Sequence, residues 1–121
     1  MPQITVDYTA VLTDEGAFDT AGFVRALHEA VVEIAAAEPK ACKTMFRDGY
    51  SAYGYNAMDQ SDALVHVTIG LLAGRTEETK AKLTEAVLEL VRSHVTPVDG
   101  ITLHASAEVR DLDPSYRKYE G

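Results

Sequence analysis

The chain has 121 residues, a length that fits one domain built around one hydrophobic core. Hydrophobic residues make up 46% of the chain and charged residues 25%, as in an ordinary soluble globular protein. The net charge of −8 argues against binding to nucleic acids and to anionic membrane surfaces, because both need a basic footprint on the protein. We therefore expect neither nucleic acid nor membrane among its partners.

Two further features bear on where the protein works. No apolar run is long enough to span a bilayer, and the first residues lack the basic and then apolar pattern of a signal peptide. Cys42 is the single cysteine, so no internal disulfide can form. We expect a cytoplasmic protein in which Cys42 is a small, half-buried apolar residue rather than a nucleophile.

The chain opens with a predicted strand. Residues 3–10 alternate apolar and polar side chains, a period that indicates a strand with one buried face. Residues 13–18 follow as a predicted polar loop around Gly16. Asp19 or Thr20 can then cap a helix, because a side-chain oxygen at this position accepts from the free amides of the first turn.

This first helix is predicted to run to about Ala37, where Glu38 and Pro39 end it. Its apolar residues recur at three- and four-residue spacing and form one buried stripe. The members of that stripe are Phe23, Leu27, Ala30, Val31 and Ile34. A second strand is predicted over Ala41–Arg47.

The second half of the chain repeats this order after a loop. Residues 48–62 mix glycines, tyrosines and acidic side chains and predict a loop with room for a short hairpin. Ala63–Leu72 is rich in Val and Leu and predicts a buried strand. Thr76 can cap a second helix over Glu77–Val95, and Ile101–Arg110 alternates as the last strand.

The element order is therefore strand–helix–strand, twice, with half-repeats of about 2–48 and 62–110 and a tail of 111–121. Right-handed connections put both helices on one face of a four-stranded α+β sheet. The opposite face keeps some apolar side chains, so we expect another subunit to bury it, with the tail as a clasp. A ferredoxin-like βαββαβ sandwich has the same element order and stays open as a rival fold.

Several kinds of functional site are absent from the sequence. The four histidines show no spacing that places two on one helical turn, so a metal site is not expected. His66 and His104 are predicted to lie in strands as packed or hydrogen-bonded residues. The chain has no glycine-rich phosphate loop and no serine in a nucleophile elbow. We expect a protein without metal or cofactor.

Pro2 offers a different chemistry. A small residue at position two favours removal of Met1, and the free nitrogen of Pro2 would then be a secondary amine at the start of a strand. A strand end holds a base in register with a substrate, which a flexible tail does not.

Three cationic side chains are candidates for binding an anionic substrate. Arg75 is predicted to lie in the turn before the second helix, where its guanidinium and the helix amides would both attract a carboxylate. Lys43 and Arg47 lie four apart in a strand and therefore on one face. Each also has an ordinary interpretation: Arg75 as a solvated turn residue or an ion-pair partner of Glu77 or Glu78, and the other two as partners of surface acids.

The segments Met1–Pro2, Ala41–Thr44 and Val65–Thr76 together resemble the tautomerase superfamily, and within it the 5-carboxymethyl-2-hydroxymuconate Δ-isomerase group. The resemblance covers nearly the whole chain, and residues 66–76 are its most specific part. It implies a tautomerase/MIF-like fold, assembled as a homotrimer whose sheets line a central barrel.

The resemblance also implies residue roles. By position, Pro2 is the general base and Arg75 binds a carboxylate, while Lys43 occupies the place of a basic residue after the first helix. Met45 stands where a further basic residue is common, and Arg47, two positions on, is our fourth candidate. The implied reaction is cofactor-independent ketonisation of an unsaturated 2-hydroxy di- or tricarboxylate. A promiscuous 2-oxo acid tautomerase and a non-enzymatic oligomeric module that binds a small acid stay open as alternatives.

Overall fold

The computed structural model describes residues 1–55 and 60–121. Its regular elements follow in chain order: strand β1 (Gln3–Thr9), helix α1 (Val11–Asp14), helix α2 (Thr20–Ala35), a 3₁₀ turn (Pro39–Ala41), strand β2 (Lys43–Gly49), strand β3 (Asp62–Leu71), helix α3 (Glu77–His94) and strand β4 (Thr102–Asp111). Among the described residues, no helix is both long and apolar enough to cross a membrane.

The strand order is β2-β1-β3-β4 in one four-stranded sheet. Strands β1 and β2 pair parallel across α2, and β3 and β4 pair parallel across α3. The two units meet where β1 pairs antiparallel with β3. In a ferredoxin-like sheet a strand of one unit would split the other unit, so the observed order excludes that rival.

Both long helices lie on one face of the sheet, as the sequence predicts. Their apolar stripes and the inward side chains of β1 and β3 form one core. Its largest fully buried members include Ile4, Phe23, Leu27, Ile69 and Leu83. Asp19 caps α2 by accepting from the Gly22 amide at 3.0 Å, and Thr76 caps α3 by accepting from the Thr79 amide at 3.1 Å.

Two local predictions were wrong. The predicted loop over residues 13–18 overlaps α1, whose Leu12 is buried and so ties this short helix to the core. The second strand begins at Lys43 rather than Ala41, because Pro39 opens a 3₁₀ turn that occupies the intervening residues. The predicted hairpin within 48–62 falls partly on residues 56–59, which lie outside the described residues, and residues 50–55 form no strand.

The sheet face away from the helices is more polar than the sequence analysis expects. Alternation along the strands places polar side chains on it from each strand. The main apolar side chains there are Met45, which is 63% exposed, and Leu64, which is partly buried. The argument for a partner subunit from an apolar face was therefore wrong, and a partner on this face would meet mostly hydrogen-bonding groups.

Candidate active site

Pro2 is buried at the point where β1 begins. The next residue, Gln3, pairs with Lys43 of β2 on one side and with Gly70 of β3 on the other. The amino terminus is therefore enclosed between two strands rather than extended into solvent. The turn that follows β3 carries Arg75, so the fold brings three of the predicted residues to one end of the sheet.

The charges around the amino terminus act on its amino group in one direction. Burial lowers the pKa of the Met1 amino group below its ordinary value, and the positive charges of Arg75, Lys43 and Lys118 lower that pKa further. Cys42 opposes them slightly. An acidic protein has thus gathered three cations around its own amino group, an arrangement that favours the neutral amine and attracts anions.

Arg75 is held by backbone carbonyls, and not by Glu77 or Glu78. Its Nε and Nη2 donate to the Ala35 carbonyl at 3.1 and 2.9 Å, and its Nη1 donates to the Leu72 carbonyl at 3.1 Å. A guanidinium has five N–H donors, so each terminal nitrogen keeps one N–H for a ligand.

Arg75 lies in the predicted turn before α3, but its guanidinium contacts the end of α2. Ala35 is the last residue of α2, so the guanidinium binds a free carbonyl at the end of that helix, where a cation is favoured. Arg75 is partly buried, which excludes the interpretation as a freely solvated turn residue. The bonds fix its position rigidly while it keeps its charge.

Lys43 is also without a carboxylate partner in the described part of the chain. Its Nζ donates to the Ala41 carbonyl at 3.2 Å. The adjacent Cys42 is half-buried, as predicted, and burial raises the pKa of its thiol. A raised pKa keeps the thiol protonated near neutral pH, so Cys42 is poorly suited to act as a nucleophile.

Arg47 lies apart from this group. It is four residues along β2 from Lys43, a distance of about 13 Å in a strand. Its Nε and Nη2 donate to the two carboxylate oxygens of Asp7 at 2.8 and 3.1 Å. Within this chain the structure therefore does not bring Arg47 to Pro2, and the role of Arg47 in substrate binding stays a prediction.

Lys118 is the cation that sequence reasoning missed. It lies in the tail, which crosses back over the start of the sheet: the Leu112 amide donates to the Leu71 carbonyl at 2.7 Å. The charge of Lys118 reaches the amino terminus across a long sequence separation, and no local spacing or periodicity reports such a contact. The exposed aromatic tail was the available sign that this segment needs a surface to lie on.

The histidines do not form a metal centre. His66 bonds to Ser106 at 2.7 Å and Glu108 at 3.3 Å, and His104 bonds to Asp62 at 2.7 Å, as expected of hydrogen-bonded strand residues. Across residues 1–55 and 60–121, no group of three or more ligating side chains could hold a metal ion.

The chain matches one known protein family and is similar to several solved structures. Residues 2–120 match the family described as 5-carboxymethyl-2-hydroxymuconate isomerase. The chain is similar to a 5-carboxymethyl-2-hydroxymuconate isomerase from Deinococcus radiodurans R1, with TM-score 0.75 and 19% identity over 98% of this chain and 90% of that chain. It is also similar to a 5-carboxymethyl-2-hydroxymuconate delta-isomerase, with TM-score 0.66 and 14% identity over 100% and 89% of the two chains.

A third similar structure is a fused 4-OT wild-type symmetric trimer, with TM-score 0.64 and 23% identity over 90% of this chain and 84% of that chain. Comparison with curated proteins found no match. The structural likeness confirms the α+β tautomerase fold predicted from the sequence. The family match covers nearly the whole chain, so the protein belongs to the 5-carboxymethyl-2-hydroxymuconate isomerase family and is an isomerase.

Proposed function

We propose that this isomerase ketonises an unsaturated 2-hydroxy di- or tricarboxylate of the 5-carboxymethyl-2-hydroxymuconate type, formed in the breakdown of aromatic compounds, with Pro2 as its general base. The observation that supports this most strongly is the position of the buried Pro2 at the start of β1, where burial and three cations lower the pKa of the Met1 amino group next to it. A base works best when its pKa lies near the working pH, and a carboxylate substrate needs cations beside that base.

The reaction needs the nitrogen of Pro2 to be free. With Met1 attached, this nitrogen is an amide and cannot accept a proton; with Met1 removed, it becomes a secondary amine at the same end of β1. An unperturbed α-amino group has a pKa of about 7.7–8.0, and an alkylated amine lies somewhat higher. Pro2 is buried, and the burial and the cations Arg75 and Lys43 that lower the pKa of the Met1 amino group would act in the same direction on this amine.

In the proposed mechanism, neutral Pro2 accepts the proton of the 2-hydroxyl group as the C2–O bond gains double-bond character. The electron pair moves along the conjugated system, and protonated Pro2 delivers the proton to the distal carbon. Proline is thus regenerated, and the product is an isomer of the substrate. Lys43 and the remaining N–H groups of Arg75 bind carboxylates and stabilise the negative charge that develops on oxygen.

The assembly we propose is a homotrimer. The fused 4-OT relative is described as a trimer, and the polar sheet face of this chain offers hydrogen-bonding side chains to a neighbour. Residues of a neighbouring protomer would then complete the walls around Pro2. The cytoplasmic location stays a prediction from the single cysteine.

The direct test is the loss of dienol absorbance when 5-carboxymethyl-2-hydroxymuconate is mixed with protein whose mass shows that Met1 is gone. We expect turnover well above the buffer rate. The same protein with a chemically blocked amino terminus should lose at least about 100-fold in kcat, the usual lower range for a general base. Pro2→Ala should also lower kcat strongly with little change in substrate binding, although by less than the chemical block does, because the new primary amine is a partial substitute.

One control and three alternative outcomes make this test specific. The blocked protein must keep the far-ultraviolet spectrum and light-scattering mass of the untreated protein. Turnover of phenylpyruvate but not of the muconate would support a 2-oxo acid tautomerase. Carboxylate binding without turnover of either compound would support a binding module, and unchanged activity after blocking would remove Pro2 from the mechanism.

A further inference from the structure

The end of β3 lies opposite the start of β1. In the antiparallel ladder of these two strands, Gln3 pairs with Gly70. Continued by one residue, the same register brings Leu71 opposite Pro2, and both of these residues are buried. Groups that are held at the end of β3 are therefore neighbours of the amine that Pro2 would carry.

Leu112, the first residue after β4, is anchored at this point. Its amide donates to the Leu71 carbonyl at 2.7 Å. The residue before it, Asp111, forms an ion pair with Lys80 of α3 at 3.0 Å, and the Lys80 side chain is only 16% exposed. The backbone around Leu112 is thus held from β3 and from α3 at once.

The Leu112 side chain lies on Gly70. A Cβ atom at Gly70 would stand 2.7 Å from Leu112 Cδ2 and 3.4 Å from the Gln3 carbonyl oxygen. Gly70 does not have a left-handed φ, so its missing side chain matters for space rather than for backbone conformation. The partly buried Leu112 therefore covers the sheet at the residue pair next to Pro2.

We propose that Leu112 is a positioning residue of the Pro2 site, an apolar cover that is seated on Gly70 and keeps water away from the amine. Leu112 has this role only if Pro2 carries a free amine, so the proposal rests on the proposed function of the Pro2 site. Water stabilises the charged form of an amine, and its exclusion favours the neutral form that a base requires. Burial, the largest cause of the lowered pKa of the Met1 amino group, agrees with such a cover.

Titration of the Pro2 nitrogen tests the proposal without any need for turnover. The protein is prepared with isotope-labelled proline, its mass shows that Met1 is gone, and nitrogen NMR follows each proline against pH. The chain has four prolines, and only the amino-terminal one should titrate, because the other nitrogens are amides. In Leu112→Ala we expect the titration midpoint to rise by about half a pH unit, a small part of the roughly 3–5 units that full burial can cause. Leu112→Met keeps the apolar volume and should titrate like the wild type.

Gly70→Ala tests the seat of this side chain and leaves Leu112 itself intact. The new Cβ would displace Leu112, so the midpoint should rise as it does in Leu112→Ala. In the double variant the new methyl group has no leucine side chain to displace, so the midpoint should rise no further than in Leu112→Ala alone. Additive rises would show that the two residues act separately and would overturn the proposal.

Two controls exclude other causes of a raised midpoint. The charged and titratable groups that act on the amino terminus are Arg75, Lys43, Lys118 and Cys42. Lys118 follows Leu112 in the tail, so the rise caused by Leu112→Ala should persist in a Lys118→Met background. Leu88→Ala removes the same type of side chain from the exposed side of α3 and should leave the midpoint unchanged.

An unchanged Pro2 titration in Leu112→Ala would overturn the proposal, even if urea unfolding showed a loss of stability, because Leu112 would then be a structural residue only. An equal rise in Leu88→Ala would overturn it as well. Turnover of 5-carboxymethyl-2-hydroxymuconate is measured separately. A protein whose Pro2 titration responds to Leu112 but which does not convert the dienol would keep this inference and lose the proposed reaction.

Discussion

Two cross-strand residue pairs of β1 and β2 differ in whether the basic residue faces a carboxylate. In the parallel ladder of β1 and β2, Gln3 stands opposite Lys43 and Asp7 stands opposite Arg47. The second pair forms an ion pair at 2.8 Å. Gln3 and Lys43 cannot form an ion pair, because glutamine carries no charge. The positive charge of Lys43 beside the amino terminus therefore has no carboxylate from Gln3 to balance it.

The difference shows how a chain of net charge −8 keeps a cationic site. Several cations elsewhere on the sheet and helices have carboxylate partners, namely Arg47, Lys80, Arg92 and Arg110. Around Pro2, Lys43 and Arg75 donate to backbone carbonyls, which orient a cation without cancelling its charge. A bound carboxylate would therefore supply the counter-charge that Lys43 and Arg75 lack in the described part of the chain.

The largest effect on activity is expected from Arg75→Met, which removes a cation that donates to backbone carbonyls beside Pro2. Loss of a charged hydrogen-bond donor to substrate should lower kcat/KM by about 10- to 100-fold. The same change should lower the free energy of unfolding by about 1–2 kcal/mol, because the Ala35 carbonyl at the end of α2 loses its partner. Steady-state kinetics and urea unfolding measure the two effects separately.

A second substitution controls for the stability loss. Ala36, next to the Arg75 acceptor, has a left-handed backbone with φ 56°, where glycine is favoured. Ala36→Gly should raise stability by about 1 kcal/mol. The double variant should then recover stability but not kcat/KM. Recovery of both would show that Arg75 acts on the reaction through the fold alone.

A smaller effect on activity is expected from Gln3→Glu, which places a carboxylate opposite Lys43 as Asp7 stands opposite Arg47. A carboxylate at this position would pair with Lys43 and, by its charge, raise the pKa of the adjacent amine. A raised pKa means that less of the amine is neutral at a given pH. The acidic limb of the profile of kcat/KM against pH should move to higher pH, and activity at neutral pH should fall a few-fold.

The matched control for this variant is Gln60→Glu, which adds the same charge at the far end of β1, beside Thr9 and Asp62. It should leave the pH profile where the wild type has it. If the pH profile moved equally in both variants, the change in net charge would be the cause. If it moved in neither variant, the group that titrates would not be the amine beside Lys43.

Periodicity predicted most of this fold. The stripes of α2 and α3 and the alternation of β1 and β3 are local patterns, and each survives in the structure because burial repeats at the same spacing. The resemblance to a known family added the tautomerase-like fold. The short helix α1 was not predicted, because four residues are too few to show a helical period.

The site was predicted less completely, for a physical reason. Pro2, Lys43 and Arg75 lie at ends of elements whose positions follow from the fold. The bond from Arg75 to Ala35 spans 40 residues, and Leu112 at the start of the tail packs into the space left at Gly70. Contacts of this kind depend on three-dimensional packing, and a linear pattern does not record them.

The smallest effect should come from Asp7→Asn, which frees Arg47 while it keeps the shape of the side chain. The pair is largely exposed, with 62% of the arginine side chain and 35% of the aspartate accessible, so its loss should change the midpoint of urea unfolding little. Turnover should stay within about two-fold, because four residues of strand separate Arg47 from Lys43. Tighter binding of the carboxylate substrate in Asp7→Asn, abolished by adding Arg47→Met, would instead show that Arg47 reaches a substrate, and the Pro2 site of a neighbouring protomer would then be the place to look for it.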